Sequence, residues 1–241
     1  MHHDTVIPFL QKEKADVVCM QELFESDISM YEEALGMKSI FEPMARTASF
    51  KFGGPEDKVY GIAIFTKHEA LSGYEDVIGD RTEIPVLNKP NDRMVERDSS
   101  RRMLLWVDVS TPGGQCYRIV NTHFTWTPPP GVSTEYQKED AGKAVKKIEE
   151  KTGEFIITGD FNAPRGRETF AIFAEKFKDN IPLSYESSLD TKFHRSPEIR
   201  SGERKNMVDC LFSTPSYFIT DVKLIEGVSD HKAIVAFLEK V

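Results

Sequence analysis

An acid and an amide, two residues apart, follow an apolar run that ends in glycine, in the segment Ile156-Ile157-Thr158-Gly159-Asp160-Phe161-Asn162. The apolar run predicts a buried strand, and Gly159 permits its backbone to approach another group closely. Because residues i and i+2 of an extended chain point the same way, we expect Asp160 and Asn162 to face one spot. A carboxylate beside an amide suits holding a metal ion, a water or a phosphoryl oxygen. The alternative is an acid that only forms a turn.

A second acid and a histidine lie near the C-terminus. Ser229-Asp230-His231 precedes the last apolar strand, but contiguous residues cannot form a hydrolase triad because neighbouring side chains on an extended backbone diverge. Asp209 lies within the apolar stretch 207–212. A buried carboxylate is costly unless it is paired, and a histidine is a natural partner whose tautomer the pair would fix. The alternative is a structural acid held by backbone amides.

Two further polar residues end apolar strands. Glu22 follows the run 17–20, and His123 ends the run 118–123. A lone strand-end histidine is more often a surface or core residue, but several separate strands here carry such groups, and strands can deliver them to one edge of a sheet. The set contains carboxylates, an amide and two histidines. It suits a hard divalent cation with oxygen ligands and an imidazole for proton transfer.

The elements that must position these groups are mostly strands. Apolar periodicity predicts helices at residues 5–14, 28–35, 132–151 and 168–177, and strands at 15–20, 59–66, 103–110, 117–123, 154–158, 207–213, 218–225 and 233–238. Interspersed helices and a majority of strands favour an α/β or α+β arrangement with helices covering sheets. No composition break divides the chain, so we expect one domain over residues 1–241. Two long polar loops, 80–102 and 184–206, are of the kind that is functional or disordered.

Composition narrows the class of function. The formal net charge of −8 argues against a broad electropositive face for gripping nucleic acid, although a cation can still bring phosphates to an acidic protein. The three cysteines, Cys19, Cys116 and Cys210, form no CxxC pair, which excludes zinc ribbons and thioredoxin chemistry and predicts buried, reduced thiols. No signal peptide and no membrane-spanning run is evident, so we expect a soluble, cytoplasmic monomer.

The order of the motifs resembles the endonuclease/exonuclease/phosphatase superfamily, from about residue 5 to the C-terminus. The motifs that carry the resemblance are Gln21-Glu22, Asn121-Thr122-His123, Gly159-Asp160-Phe161-Asn162, Val208-Asp209 and Ser229-Asp230-His231. The resemblance implies a deoxyribonuclease-I-like α/β (α+β) fold, a four-layer αββα sandwich of two packed mixed sheets flanked by helices. It also implies an enzyme that hydrolyses a phosphoester with Mg²⁺ or Mn²⁺.

The resemblance also assigns roles at the metal and at the attacking water. Glu22 is expected to be the main metal ligand, and Asp230 to help at the metal site. Asp160 and Asn162 are expected to position the attacking water and the phosphate. This division agrees with physical logic, because a cation neutralises phosphate charge while an amide fixes geometry.

The remaining catalytic roles implied by the resemblance belong to the two histidines. His231 would contact the scissile phosphate, oriented by Asp209, and act as a base or a stabiliser of the transition state. His123 would be a second phosphate contact or a general acid. The abasic-site endonuclease branch typically has a tyrosine at the position of His123, so that branch is disfavoured.

The substrate is left open between several phosphoesters. Arg101 and Arg102, in an arginine-rich loop, could bind a second phosphate or a nucleic-acid backbone, and Trp126 could stack on a base. A solvated loop and a packing anchor are the plain alternatives. We favour a phosphodiester substrate of the nuclease or phosphotyrosyl-DNA type, over a lipid or inositol phosphate.

One departure from the family pattern concerns the N-terminus. Family members usually begin with a strand that carries a metal-binding Asn, and that strand is absent from the 241 residues. A truncated chain or a replacement by another segment would explain it, with weaker metal affinity and exposed sheet edges as consequences. The rival hypothesis is a non-catalytic binding or scaffold protein. The retained acids, amide and histidine argue against it, because a scaffold protein has no need of that set.

Overall fold

The structure, a computed structural model, describes residues 2–47, 58–79, 81–87, 97–126, 130–151 and 153–240. Its helices are α1 (His3–Glu13), α2 (Ile28–Leu35), α3 (Glu135–Glu150), α4 (Glu168–Ala174) and α5 (Pro197–Arg200). Its strands are β1 (Val17–Phe24), β2 (Lys38–Thr47), β3 (Lys58–Thr66), β4 (Ala70–Asp76), β5 (Val86–Leu87), β6 (Met103–Ser110), β7 (Cys116–His123), β8 (Ile156–Asp160), β9 (Lys178–Asp179), β10 (Asp209–Ser213), β11 (Tyr217–Ile225) and β12 (Ala233–Lys240).

Two sheets pack face to face. The first has the strand order β1-β3-β2-β5, and the second has the order β4-β6-β7-β8-β10-β9. Buried residues from both sheets, including Ile62 and Ile64 of β3 and Leu105 of β6, form the core between them. The second sheet is mixed, because β7 runs parallel to β8 while the other pairs are antiparallel.

Helices cover the outer faces of both sheets. Apolar residues of α1 and α2, such as Leu10 and Tyr31, pack against Phe65 of β3. On the other side, α3 and α4 place Ala144 and Phe173 against the second sheet. The layers are therefore helix, sheet, sheet, helix, and the predicted four-layer sandwich is confirmed.

Local signals explain where the long helices begin and end. The Thr134 hydroxyl accepts a hydrogen bond from the backbone N–H of Gln137 and caps α3, which begins at Glu135 rather than at residue 132. Helix α2 ends where Gly36 adopts a left-handed conformation with φ of 63°, as the sequence predicts. No helix among the described residues combines the length and apolar character needed to cross a bilayer.

Several elements were missed or misjudged from the sequence. The strands β2 and β4 were not predicted, because polar residues interrupt their apolar pattern. Both pair with neighbouring strands through their backbones. Of the three cysteines, which all have free thiols, Cys210 is buried but Cys116 is exposed, so the prediction of three buried thiols was wrong. The predicted loop 80–102 contains β5, and its part at residues 88–96 lies outside the described residues.

Candidate active site

Three neighbouring strands place three polar residues side by side. His123 pairs in register with Asp160 across the parallel strands β7 and β8, and Asp160 pairs with Asp209 across the antiparallel strands β8 and β10. The register therefore lines up one histidine and two carboxylates at a single edge of the second sheet. Hydrogen bonding between strands fixes this alignment, which makes it rigid.

A glycine makes the close approach of β7 and β8 possible. Gly159 has a φ of 135°, and a Cβ atom at this position would lie 2.0 Å from the carbonyl oxygen of Thr122. Any larger residue would push the two strands apart. The prediction that Gly159 lets the backbone pass close to another group is confirmed.

His231 reaches this edge from the opposite side and is paired with Asp209. Its Nδ1 lies 2.8 Å from Oδ2 of Asp209. Burial lowers the pKa of His231, but attraction to Asp209, then to Asp160 and Asp230, outweighs it and raises the pKa well above its usual value. The surrounding carboxylates therefore favour the protonated form of His231, in which Nε2 carries the second N–H.

A buried serine, missed in the sequence, holds the start of β10. The hydroxyl oxygen of Ser188 accepts hydrogen bonds from the backbone N–H groups of Val208 and Asp209, at 3.0 and 3.1 Å. Ser188 is fully buried. It fixes the backbone from which the Asp209 carboxylate reaches His231, and only its place in the long polar loop 184–206 marked it in the sequence.

His123 has a different environment from His231. Burial lowers its pKa to about 4, an effect that nearby Asp160 opposes and Arg102 reinforces. Its Nε2 lies 3.6 Å from Oδ2 of Asp160 and 3.9 Å from Oε1 of Glu22. Its Nδ1 is buried and has no hydrogen-bond partner among the described residues. His123 is therefore neutral at pH 7, and its Nε2 is the ring nitrogen that faces Asp160 and Glu22.

Asp160 and Asn162 are close, but not for the reason the sequence suggested. Asn162 is left-handed, with a φ of 49°, so the prediction of an extended chain through both residues was wrong. The Asn162 backbone N–H donates to Oδ1 of Asp160 at 2.7 Å, and its Nδ2 donates to the Phe124 carbonyl at 3.1 Å. Burial, then the Asp209 charge, raises the pKa of Asp160.

Glu22 reaches the same cleft because β1 is irregular. The pairing of β1 with β3 shifts register between Met20 and Leu23, and Glu22 has a φ of 54°. Such bulges re-aim a side chain next to a site. The buried Asn121 braces this turn, since its Nδ2 donates to the Met20 carbonyl and its Oδ1 accepts from Gln21, at 3.0 and 2.7 Å.

One cavity of about 1590 Å³ is lined by most of these groups. The predicted residues that line it are Glu22, Arg102, His123, Trp126, Asp160, Asn162, Asp209, Asp230 and His231. Arg101 is not among them. It is buried just before β6, where its Nη1 donates to Glu42 at 3.0 Å and to the Pro43 carbonyl at 3.2 Å.

The neighbouring arginines of loop 80–102 are also used internally. Arg81 bonds to Asp76 at 2.7 Å, and Arg97 forms a buried ion pair with Asp140. Among the arginines of this loop that the structure describes, only Arg102 lines the cavity, where it lies near His123. Arg93 lies outside the described residues. Trp126, which could stack on a base, begins a loop of which the structure describes only Trp126 and Pro130. Residues 127–129 lie outside the described residues.

The donor set suits a weakly held divalent cation. In the part of the chain that is described, no three His, Cys, Asp or Glu side chains are grouped closely enough to hold a metal. Mg²⁺, however, is commonly held by one or two carboxylates, with water and substrate phosphate completing its shell. Glu22, which is 56% exposed, provides such a carboxylate at the mouth of the cleft, beside the Asp160 carboxylate. The residues present therefore fit a hard divalent cation.

The long polar segment 184–206 adds residues to the site that the sequence analysis did not single out. His194, Arg195 and Arg204 line the cavity near His231. The buried carboxylate of Asp190 organises this loop by accepting from the backbone N–H groups of Lys192 at 2.7 Å and, through its other oxygen, Gly227 at 2.7 Å. The only signal in the sequence was the length of the polar segment.

Comparison with known proteins identifies the family of the chain. The chain belongs to the Endonuclease/Exonuclease/phosphatase family, whose model matches residues 2–231. No curated protein sequence matches the chain.

Solved structures of related fold are distant in sequence. An endonuclease/exonuclease/phosphatase from Bacteroides vulgatus is 21% identical with a TM-score of 0.70, over 100% of this chain and 90% of that one. The mannosyl-6-phosphatase Bt3783 of Bacteroides thetaiotaomicron is 16% identical with a TM-score of 0.64, over 99% and 90%. ANGEL2, a 2′,3′-cyclic phosphatase, is 16% identical with a TM-score of 0.60, over 98% and 84%. At these identities the likeness shows the fold.

Proposed function

We propose that this protein is a divalent-metal-dependent phosphoesterase that hydrolyses a phosphodiester by attack of a water molecule. The observation that carries the proposal is the Asp209–His231 pair, at 2.8 Å, standing beside Asp160 and the neutral His123 in one cavity. The pair supplies a fixed positive charge, Asp160 supplies a base, and His123 supplies an uncharged donor. A binding protein on this fold would have no use for histidines held in opposite charge states.

His231 acts on the phosphate. With Nδ1 held by Asp209, its Nε2–H donates to a non-bridging oxygen and stabilises the negative charge that develops in the transition state. Asp209 fixes the orientation of the ring.

Asp160 acts on the water. Its raised pKa makes its carboxylate a better base than an exposed aspartate, and the Asn162 N–H holds one of its oxygens in place. The other oxygen, which faces His123 at 3.6 Å, is available to take a proton from the attacking water. The Asn162 side chain is tied to the Phe124 carbonyl and fixes this geometry.

His123 and the metal ligands complete the proposal. Neutral His123 donates a hydrogen bond to a phosphoryl oxygen or to the leaving group. Glu22, helped by Asp230, would hold a Mg²⁺ or Mn²⁺ ion, and the ion when bound neutralises phosphate charge.

The substrate that we propose is a phosphodiester with a nucleotide-like group. Arg102 and Trp126, which line the cavity, offer a cation and an aromatic face beside the reacting groups. Among proteins of this fold, one is named for a cyclic phosphate and another for a mannosyl phosphate, so both diesters and monoesters must be tested. The monomeric, cytoplasmic character expected from the sequence stays a prediction.

Hydrolysis of bis-p-nitrophenyl phosphate and of p-nitrophenyl phosphate, with Mg²⁺ or Mn²⁺ and with a chelator, tests the proposal. We expect metal-dependent turnover of the diester that His231→Ala abolishes. His3→Ala is the matched control, because His3, which bonds to Tyr31, is not itself among the residues that line the cavity. Wild-type turnover that is no higher than that of His231→Ala would reject the enzyme. Single-stranded DNA, phosphotyrosyl-DNA, sphingomyelin and inositol phosphates then rank the substrates.

A further inference from the structure

Three basic residues of the polar segment 184–206 line the cavity, and the proposed reaction gives them no role. They are His194, Arg195 and Arg204. Arg195 is exposed, whereas His194 and Arg204 are half-buried. We call these three residues the basic cluster.

Backbone hydrogen bonds hold the basic cluster next to His231. Leu189 forms an antiparallel bridge with His231, and the Asp190 N–H donates to the Asp230 carbonyl at 2.9 Å. Four residues after Asp190, the His194 N–H donates to the Asp190 carbonyl at 3.1 Å. The basic cluster is therefore fixed to the backbone that presents His231.

Ser196 connects two members of the basic cluster. Nη2 of Arg204 donates to the Ser196 hydroxyl at 3.0 Å, and the Ser196 N–H donates to Nδ1 of His194 at 3.0 Å. Because Nδ1 accepts, the neutral His194 ring carries its hydrogen on Nε2, where it can be donated to a ligand. The Ser196 hydroxyl in turn donates to Glu198, so this acid is satisfied without an ion pair to Arg204.

The arginines of the basic cluster differ from those that stabilise the fold. Arg97, Arg118 and Arg165 each form an ion pair with an aspartate. In the part of the chain that the structure describes, neither Arg195 nor Arg204 forms such a pair, and the buried Nε of Arg204 has no hydrogen-bond partner. A buried donor without an acceptor is costly, and an anionic ligand would satisfy it.

The charges around His194 also favour an anion. Burial lowers the pKa of His194. Asp230 opposes this effect, but the positive charges of His231, Arg195 and Arg204 reinforce it. The basic cluster and His231 are thus close enough to influence one another, and positive charges gathered at one wall of a cavity attract an anion.

We propose that the basic cluster binds a second phosphate group of the substrate, next to the phosphate that is hydrolysed. This inference rests on the proposed function, because that function places the reacting phosphate at His231. Arginine suits such a group because its planar guanidinium donates parallel hydrogen bonds to phosphate oxygens. The substrate class is therefore a phosphoester that carries a further phosphate, supplied by a nucleic-acid strand or by a multiply phosphorylated sugar.

Equilibrium binding to the whole chain, measured by isothermal titration calorimetry in the presence of a chelator, tests the proposal without any turnover. The probes are a thymidine dinucleotide with one phosphate and the same dinucleotide with a second phosphate at its 5′ or its 3′ end. We expect the second phosphate, at one of these ends, to tighten binding about tenfold or more.

A pair of phosphorylated sugars distinguishes the two sources of the second phosphate. Glucose 6-phosphate is compared with glucose 1,6-bisphosphate under the same conditions. A preference for the second phosphate that is confined to the dinucleotides assigns the basic cluster to a nucleic-acid strand, and a preference confined to the sugars assigns it to a phosphorylated sugar.

Variants locate the second phosphate. We expect Arg204→Gln, and more strongly its combination with Arg195→Gln, to lower the preference to about twofold or less, and Arg204→Lys to retain part of it. Arg200→Gln is the matched control, because Arg200 is an exposed arginine of the same segment that does not line the cavity. The preference is a ratio of two dissociation constants of one protein, so a general loss of fold would not remove it selectively.

Two results would overturn the proposal. The first is a second phosphate that improves binding less than about twofold in both pairs of probes, or that gives no measurable binding at millimolar concentration. The second is an equal loss of preference in Arg200→Gln and Arg204→Gln. Hydrolysis of bis-p-nitrophenyl phosphate, which has a single phosphate, decides the proposed function separately. Turnover of that ester without any preference would reject the basic cluster alone, and a preference without turnover would reject the hydrolase alone.

Discussion

The charge of Asp209 is the feature of the site with the sharpest consequence. In the wild-type protein, Nδ1 of His231 lies 2.8 Å from the Asp209 carboxylate. Asp209→Asn removes the negative charge but keeps an oxygen that can accept a hydrogen bond from Nδ1. The Asp209 side chain is only 8% exposed, so water cannot replace the lost charge. We therefore expect the variant to fold with the same geometry and with a much weaker hold on the His231 proton.

The size of the effect follows from Coulomb's law. Two opposite charges about 4 Å apart, at an effective dielectric constant of about 20, interact by about 4 kcal/mol. Since 1.36 kcal/mol corresponds to a tenfold change in a protonation equilibrium, Asp209→Asn should weaken proton binding at His231 about a thousandfold. Burial, which lowers the pKa of His231, is then opposed only by Asp160 and Asp230. A loss of kcat of roughly a hundredfold to ten-thousandfold would follow.

Two measurements check this prediction. An NMR titration of the histidine Cε1–H signals, assigned with His231→Ala, reports the proton of His231 directly. The pH dependence of kcat reports it in catalysis. Asp108→Asn is the matched control, because it breaks a partly buried ion pair with Arg118, at 2.7 Å, on the strands β6 and β7. We expect that control to change neither measurement.

The reasoning would be refuted by a clear result. If His231 in Asp209→Asn binds its proton within threefold of the wild-type affinity, the Asp209 charge is not what raises its pKa. If kcat falls equally in Asp108→Asn, the loss reflects the fold rather than the pair.

Asp140→Asn should destabilise the protein by about 3–5 kcal/mol, measured by urea unfolding, because Arg97 would be left charged and buried. Gly159→Ala should unfold at lower temperature, with a loss of roughly 3 kcal/mol or more, because its Cβ would overlap the Thr122 carbonyl; an unchanged melting temperature would contradict the close approach. Burial lowers the pKa of His123 from 6.5 to about 4, so the folded state binds this proton less readily than the unfolded state does. The resulting stability, about 3 kcal/mol, is complete above pH 6.5 and is lost as the pH falls toward 4, and His123→Gln should flatten that part of the curve in chelator-treated protein.

Much of the fold could be predicted because its signals are local. The strand β6 (Met103–Ser110) and the helix α2 (Ile28–Leu35) occupy the residues that the apolar periodicity indicated. The strand β2 (Lys38–Thr47) was missed because Glu42, Pro43 and Arg46 interrupt its pattern. Its place between β3 and β5 comes from long-range pairing, which no local window contains.

The candidate site divides in the same way. The sequence predicted the types of the polar residues in the site and their positions after apolar strands. The order of these motifs also indicated the family. The orientation of Glu22 was not, because it depends on a bulge in β1 that only the pairing with β3 creates. Arg101 and Arg102 show most clearly what could not be predicted from the sequence. They are adjacent in sequence, yet only Arg102 lines the cavity, since Arg101 is held away by Glu42 and the Pro43 carbonyl.

The sequence by itself determined the class of fold, the family and the inventory of acids, amide and histidines, because these depend on residue type and short-range periodicity. The tertiary structure decided which groups meet. It aligned His123, Asp160 and Asp209 by strand register, and it shifted the pKa values of the two histidines in opposite directions. The physical reason is that protonation and pairing depend on burial and on charges brought together from distant parts of the chain.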